Sequence, residues 1–214
     1  MRLQLFRPLK KWNVTNKFAQ NDVCSFPDRT GIFSTDGTCP PGKVLFYPLI
    51  NLPGGHNGLD LEAPMWTPIY ASHSGYIQSL ETRESMGLTV YLVSNEEFEF
   101  SGQVSYAKTV YIHMSAYNVK EGDKIRVGDF LGWSGNTGLS GGPHLHYGLT
   151  PCDKDGKKLY PDNGFGGYVD PQPYMSEQFA LDALNGYERI KQYLALFSEE
   201  VANWLRGNYE RSSN

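Results

Sequence analysis

Short apolar runs separated by turn residues dominate the middle of the chain. Between residues 56 and 150, the runs TPIYAS, SGYIQSL, LTVYLVS, TVYIHMS and DFLGWSG alternate with Gly, Asp and Ser. Runs of this length, broken by turn signals, are typical of strands in an all-β domain. Residues 12–19, WNVTNKFA, predict a first strand. The stretch 20–55, rich in Asp, Gly and Pro, predicts a long irregular loop. We therefore expect a mainly β, antiparallel fold with long loops.

The C-terminal end carries a different pattern. Apolar residues from Phe179 to Leu205 recur at steps of mostly three and four. This spacing predicts an amphipathic α-helix from about Ser176 to Arg206. The expected organisation is a β-rich domain followed by a helical arm, with ranges 1–175 (motif core 56–150, loop insertion 20–55) and 176–214.

Composition excludes several classes of protein. The 214 residues include 19 Lys and Arg against 23 Asp and Glu, a formal net charge of −4, which argues against a strongly basic nucleic-acid-binding protein. The apolar runs are too short to cross a bilayer, and basic residues near the N-terminus leave no apolar segment for a signal peptide. Three cysteines do not make a disulfide framework. Cys24 and Cys39 flank a loop and could pair, but three free thiols is the favoured interpretation.

The candidate chemistry lies in the histidines, of which the chain has five. In PHLHYGL, His144 and His146 are expected on one face of a strand, about 7 Å apart along it. Leu145, Tyr147 and Leu149 then take the opposite face, which suits a core. Two imidazoles on one face of a strand present nitrogen ligands to a metal ion.

The segment GGHNGLD adds a second pair, His56 and Asp60. Its glycines disfavour a helix, and a straight strand would set the two side chains about 13 Å apart. A bend at the glycines, with Asp60 at the start of the next strand, would bring them together. These two residues and one imidazole of the His-x-His pair make three ligands. Such a set leaves a fourth tetrahedral position for water, as in catalytic zinc sites.

The strand VYIHM contains a further histidine. By strand alternation, Tyr111 and His113 share one face, while Val110, Ile112 and Met114 face the core. Each motif alone is weak, because a lone His-x-His or a lone histidine is more often part of a surface or core. Their co-occurrence in a histidine-poor chain indicates a functional site.

Together these segments resemble the lysostaphin/LytM-type zinc endopeptidases, which cut peptide cross-links in bacterial cell walls. GHNGLDLEAPMWTPIYASHSGYI is similar to the first ligand segment of that family, and TVYIHMS to its middle histidine strand. VKEGDKIRVGDFLGWSGNTGLSGGPHLHYGL is similar to its closing segment. The resemblance covers residues 56–150 well, and 12–20 and 168–175 weakly. It implies a peptidase core of antiparallel β-sheet or barrel-sandwich form.

The resemblance also implies roles for individual residues. His56, Asp60 and His146 would bind one zinc ion per chain, and His113 and His144 would be catalytic without binding the metal. The implied reaction is hydrolysis of peptidoglycan stem or cross-bridge peptides by a zinc-activated water, assisted by both histidines. His73 corresponds to a variable turn and is expected to be solvated. Tyr147 is expected in the core, whereas Tyr111 is expected either to pack or to reach the site.

The chain also departs from the family pattern. The stretch from Ser94 to Lys108 is longer than usual, and with residues 20–55 it is expected to form the walls of the substrate groove. The substrate lies outside the cytoplasm and no export signal is visible. We therefore expect a phage lysin or virion-borne enzyme, or a trimmed secreted enzyme. The alternatives are a zinc peptidase with a non-wall substrate, or a non-enzymatic structural or docking module of a phage tail or cell-wall assembly. The C-terminal helix would suit docking to such a partner.

Overall fold

The computed structural model of the chain describes residues 2–28, 33–34, 38–184, Arg189 and Leu196. These residues form short and long strands, one short α-helix, α1 (Phe46–Leu49), and two 3-10 helices (Gln172–Tyr174 and Ala180–Ala183). The strands are β1 (Leu5–Arg7), β2 (Val14–Asn16), β3 (Val23–Ser25), β4 (Phe33–Ser34), β5 (Val44–Leu45), β6 (Leu59–Glu62), β7 (Pro68–Tyr70), β8 (Gly75–Arg83), β9 (Gly87–Phe100), β10 (Gln103–Tyr117), β11 (Lys124–Ile125), β12 (Phe130–Ser134), β13 (His144–Cys152) and β14 (Met175–Phe179). No described helix is long and apolar enough to cross a membrane.

One nine-stranded sheet organises the molecule. Its strands follow the order β11-β8-β9-β10-β13-β6-β2, and β12 joins it by pairing with both β10 and β7. All pairings within this sheet are antiparallel. The predicted mainly β, antiparallel fold is thus confirmed, and β2 lies within the predicted first strand. The barrel-sandwich form stays a prediction.

The core lies on one face of this sheet, where strand alternation places the large apolar side chains. Leu145, Tyr147 and Leu149 of β13 are fully buried there, as predicted, together with Leu59 and Leu61 of β6. Because alternate residues point the other way, His144 and His146 on β13 and Asp60 on β6 are left on the opposite face. The burial of one face thereby determines which side chains are available for the site.

The stretch 20–55 is more ordered than predicted. Strands β3, β4 and β5 form a small antiparallel sheet, and α1 follows β5 directly. A disulfide joins Cys24 to Cys39, so the expectation of three free thiols is wrong. The pairing of β3 with β4 and β5 turns the chain back on itself, which brings the two cysteines together. Cys152 remains a buried free thiol.

The predicted C-terminal helix does not begin at Ser176. Residues 175–179 form β14, which pairs in parallel with β1 through Leu5 and Met175. The following 3-10 helix buries Ala180 and Leu181 against Trp133. Strand pairing and this burial outweigh the helical spacing of the sequence. Beyond residue 184, the predicted helix lies outside the described residues, except for Arg189 and Leu196.

Strand β10 departs from simple alternation at its centre. Its register with β9 shifts between Tyr111 and Met114, and His113 has a positive φ of 65°. Tyr111 and Met114 are both buried in the core, whereas Ile112 and His113 face the candidate site. The predicted shared face of Tyr111 and His113 is therefore wrong, because a bulge reverses the alternation between them. Tyr111 packs, and its hydroxyl oxygen accepts a hydrogen bond from the Ser72 backbone N–H.

The prediction that His73 is solvated is wrong. Its side chain is buried rather than solvated. Its two ring nitrogens lie 3.0 Å from the carbonyl oxygen of Ser74 and 2.9 Å from Thr109 Oγ1. Burial lowers the pKa of this histidine to about 4. His73 therefore belongs to the interior as a neutral imidazole, on a turn that packs against β10 instead of projecting into water.

Candidate metal centre

Three donor atoms converge between β6, β13 and the loop before β6. Asp60 and His146 are directly opposite each other on these antiparallel strands, which brings their side chains together on the face away from the core. His146 Nδ1 lies 3.0 Å from Asp60 Oδ1. His56 Nε2 lies 2.9 Å from His146 Nδ1 and 3.1 Å from Asp60 Oδ1. The predicted bend at the glycines therefore brings the side chains of His56 and Asp60 together.

This triangle of donors fits a small cation. A tetrahedral zinc ion, with bonds of about 2.0–2.1 Å, sets its ligand atoms a little over 3 Å apart. His56 Nδ1 lies 2.9 Å from the carbonyl oxygen of Lys17. A proton on Nδ1 satisfies this contact and leaves the lone pair of Nε2 directed at the other two donors. A carboxylate and imidazole lone pairs that converge at this distance need a proton or a metal ion between them. The three residues could therefore hold a metal ion.

His146 is enclosed closely by its surroundings. Its imidazole is 6% exposed, and its Nε2 atom has no hydrogen-bond partner among the described residues. Gly58 packs against this ring, since a Cβ on Gly58 would lie 2.6 Å from His146 Nε2. A side chain at position 58 would displace the imidazole. The sequence GHNGLD thus needs its second glycine to leave room for the histidine opposite.

His144 occupies the same face of β13 as His146. Its Nε2 lies 3.5 Å from Asp60 Oδ1, and its Nδ1 lies 2.7 Å from the carbonyl oxygen of Gly142. The carbonyl oxygen requires a proton on Nδ1, which leaves Nε2 of the neutral imidazole as an acceptor. His144 therefore borders the three donors with its basic nitrogen directed toward them.

His113 reaches the site from β10. Its ring centroid is 4.8 Å from that of His144 and 6.2 Å from that of His146. Its Nδ1 lies 2.7 Å from the carbonyl oxygen of Thr137, which selects the same tautomer as in His144. The bulge at His113 produces this placement, because simple alternation from Tyr111 would have turned the side chain into the core. The structure thus brings all five predicted residues together.

The charges of these groups are coupled. Burial raises the pKa of Asp60, but its contacts with His144, His146 and His56 outweigh this effect and hold that pKa well below its usual value. Burial also lowers the pKa of His144, but its contacts with Asp60 outweigh this effect and raise that pKa. Burial, followed by the charges of His144 and His146, lowers the pKa of His113 to about 3. Asp60 is therefore a carboxylate and His113 a neutral base at pH 7.

A groove of about 670 Å³ opens over these residues. Its walls include Val23, Phe46 and Tyr47 from the 20–55 stretch, as predicted. The stretch from Ser94 to Lys108 does not line the groove within the described residues, so that part of the prediction is wrong. Strands β9 and β10 extend away from the site as a long hairpin, and Phe98 near its end packs on Tyr174.

Sequence reasoning did not identify three residues that shape the site. Asn16 Nδ2 donates to Tyr47 Oη at 2.9 Å and lies 3.3 Å from Asp60 Oδ2. Tyr47 packs its ring 5.5 Å from that of His56. Thr137, interpreted as part of a turn, supports His113 through its carbonyl oxygen. No motif distinguishes Tyr47, and the segment WNVTNKFA, which contains Asn16, predicted only a first strand.

Comparison with known proteins agrees with this arrangement. The chain is 30% identical to the glycyl-glycine endopeptidase ALE-1 of Staphylococcus capitis over 167 residues, which are 74% of this chain and 41% of that protein. It is 36% identical to lysostaphin of Staphylococcus simulans over 102 residues, 47% of this chain and 19% of lysostaphin. The chain therefore spans less than half the length of these relatives.

A solved structure of a zinc-containing peptidase from Vibrio cholerae shares the fold. It is 19% identical, with a TM-score of 0.50, and the match covers 82% of this chain and 41% of that one. The model of Peptidase family M23 matches residues 54–161. This range is about half of the chain and contains all five predicted site residues. Given its donor cluster, its fold and this match, the chain belongs to peptidase family M23, a family of metallopeptidases.

Proposed function

We propose that this protein is a zinc metalloendopeptidase that hydrolyses peptide bonds in peptidoglycan stem or cross-bridge peptides. The observation that carries the proposal is the convergence of His56 Nε2, Asp60 Oδ1 and His146 Nδ1 within about 3 Å of one another, at the base of an open groove. We assign these three residues as the ligands of one zinc ion. Nitrogen and carboxylate ligands in a set of three are typical of catalytic zinc sites.

The bound zinc ion would supply Lewis acidity, which lowers the pKa of a water molecule and polarises the peptide carbonyl. The protein supplies the proton transfers. We assign His113 and His144 to this role, because each has its Nδ1 proton engaged by a backbone carbonyl and its Nε2 available on the groove side. A neutral imidazole in this tautomer accepts a proton at Nε2 and can return it to the leaving amine.

The position of His144 indicates that His144 and His113 have different roles in the reaction. Its Nε2 lies 3.5 Å from Asp60 Oδ1, so a proton that it takes up from the attacking water is stabilised beside a carboxylate before it is passed to the leaving amine. We therefore assign the proton donor to His144. His113, a neutral imidazole whose Nε2 can only accept, then orients the attacking water. Both rings are fixed by backbone contacts, so little reorganisation is needed during the reaction.

The substrate class rests on the names of relatives. ALE-1 is a glycyl-glycine endopeptidase, and a 34% identical relative from Vibrio cholerae is named a peptidoglycan DD-endopeptidase. These names cover two different bonds, so we propose the shared class of wall peptides. Such peptides lie outside the cytoplasm, and we propose that the enzyme acts there, as a phage lysin, a virion-borne enzyme or a secreted enzyme.

Zinc content and wall digestion together test this function. Purified protein should contain about one zinc per chain, and Asp60→Ala should lose it. Zinc-loaded protein should release new amino termini from purified wall sacculi. His113→Ala and His144→Ala should keep their zinc and lose most of this activity. A protein without zinc after reconstitution would favour the non-enzymatic docking role, and cleavage of free peptides alone would favour a non-wall substrate.

A further inference from the structure

A second cavity, lined largely by charged side chains, lies beside the groove. It measures about 370 Å³, and its lining includes Glu81 and Arg83 of β8, Tyr91 of β9, Lys108 of β10, and Lys158. We call this cavity the basic pocket. Three of these five residues carry a positive charge and one a negative charge. Nothing in the proposed peptide-bond chemistry uses any of them.

The basic pocket is continuous with the groove. Arg83, Tyr91 and Lys158 line both cavities. Lys108 and Ile112 lie on the same face of β10, and Ile112 lines the groove beside His113. Four residues along a strand span about 13 Å. An extended peptide bound at the histidines would therefore reach the lysines within about four residues.

The positive charges of the pocket are not balanced by the protein. The single carboxylate, Glu81, pairs with Arg83 at 2.6 Å. Neither lysine forms an ion pair within the described part of the chain. Lys108 Nζ donates to the carbonyl oxygen of Gly156, and Lys158 Nζ donates to that of Gly166. Backbone carbonyls satisfy donors without supplying a countercharge, and the charges of Asp153 and Glu81 offset only part of the effect of burial on the pKa of Lys108.

Lys108 is buried and Lys158 is half-buried, and each loses contact with water at some energetic cost. Lys108 is 7% exposed. Burial, followed by the charges of Lys108 and Arg83, lowers the pKa of Lys158 to about 8. The ring of Tyr168, 4.3 Å from Lys158 Nζ, offsets part of this cost. Unpaired buried cations are rare in proteins, because desolvation is not repaid unless an anion approaches.

We propose that the basic pocket is a subsite for a carboxylate of the substrate peptide, within about four residues of the scissile bond. The proposal rests on the proposed peptidase function and narrows its substrate class. An internal oligoglycine segment has no side-chain carboxylate, so the subsite selects peptides with an acidic side chain or a nearby C-terminus. Lys158 and Arg83 line both cavities and contact the carboxylate. Lys108, which is buried and lines only the basic pocket, adds positive charge behind them.

The test uses two forms of one probe: soluble peptidoglycan dimers with free carboxylates, and the same dimers after carbodiimide amidation. Binding to metal-free protein is measured by calorimetry, and cleavage by the zinc-loaded protein is measured in parallel. Wild-type protein should bind the free-carboxylate dimers at least tenfold more tightly. Lys158→Met should lose most of this preference, and Lys158→Arg should restore it because it keeps the charge.

Lys157→Met is the matched control, because Lys157 is an exposed neighbour outside the pocket. It should keep the wild-type preference. Arg83→Met provides a second variant if Lys158→Met is unstable, and the comparison of the two probes in the wild type needs no variant. Equal or undetectable binding of both dimers by the wild type would overturn the subsite. Carboxylate-selective binding without any cleavage would instead overturn the peptidase function and leave the subsite standing.

Discussion

His113 and Thr137 are joined by a 2.7 Å contact between the ring Nδ1 and the backbone carbonyl oxygen. Thr137 is itself held on both sides: its Oγ1 accepts from the Leu88 N–H at 3.0 Å and donates to the Met114 carbonyl oxygen at 2.8 Å. Thr137 therefore ties the loop before β13 to the bulge that carries His113. It is a positioning residue, because it acts through His113 rather than on the substrate.

Replacing Thr137 with Val should impair catalysis without emptying the metal site. Val keeps the volume but removes the hydroxyl that anchors the loop, so the His113 ring loses its fixed orientation. We expect kcat to fall by about 10- to 100-fold, because misplacing a catalytic group by 1 Å costs up to about 100-fold, with KM and zinc content unchanged. Thr137→Ser, which keeps the hydroxyl, should restore most of kcat. A Thr137→Val enzyme with wild-type kcat would show that the contact does not position His113.

Asn16 should affect zinc affinity. Its amide bridges Tyr47 Oη and Asp60 Oδ2, and hydrogen bonds to a ligating carboxylate tune metal affinity by about 10- to 100-fold. Asn16→Ala should weaken zinc binding by a factor in that range, measured by competition with a chelator. Asn13→Ala is the control, since Asn13 bonds instead to the exposed Glu62. Equal affinities in the two variants would contradict a role for Asn16 at the metal.

The disulfide between Cys24 and Cys39 should stabilise one wall of the groove. It closes a loop of 15 residues, and a loop of that length corresponds to about 3 kcal/mol of unfolding free energy. The paired strand β3 carries Val23, which packs with Phe46 and Tyr47 in the groove wall. Urea unfolding of the Cys24→Ser, Cys39→Ser double variant should show a loss approaching this value. Reductant should destabilise the wild type and leave the double variant unaffected.

His73 should make stability depend on pH. Its pKa in the folded protein is lowered to about 4, whereas an unfolded histidine titrates near 6.5. The unfolded state therefore binds more protons between these values. The contribution of His73 to the free energy of unfolding is fully present above pH 6.5. It is lost as the pH falls toward 4, by about 3 kcal/mol in total.

Chelator-treated protein should be used for this measurement, so that zinc release does not contribute. Urea unfolding of the wild type at pH 7.5 and pH 4.5 should show a larger loss of stability than His73→Gln over the same interval. The difference between the two proteins isolates His73 from the other histidines. Identical pH dependence in both would mean that His73 is solvated, as the sequence had suggested.

The local pattern of the sequence determined much of the site. Alternation along β13 placed His144 and His146 opposite the core residues Leu145 and Tyr147, because a strand has a strict two-residue period. The glycines before Asp60 likewise required a bend that returns His56 to it. Both conclusions rest on contacts between residues close in sequence, for which backbone geometry is sufficient.

Only the tertiary structure decided the rest. The bulge at His113 reverses the faces of β10 and comes from pairing with β9, which alternation within one strand does not reveal. The start of the predicted helix at Ser176 yields to pairing between β14 and β1. Asn16, Thr137 and the basic pocket depend on segments that are far apart in the chain. Their contacts arise from sheet order and burial, and sequence periodicity contains no information about either.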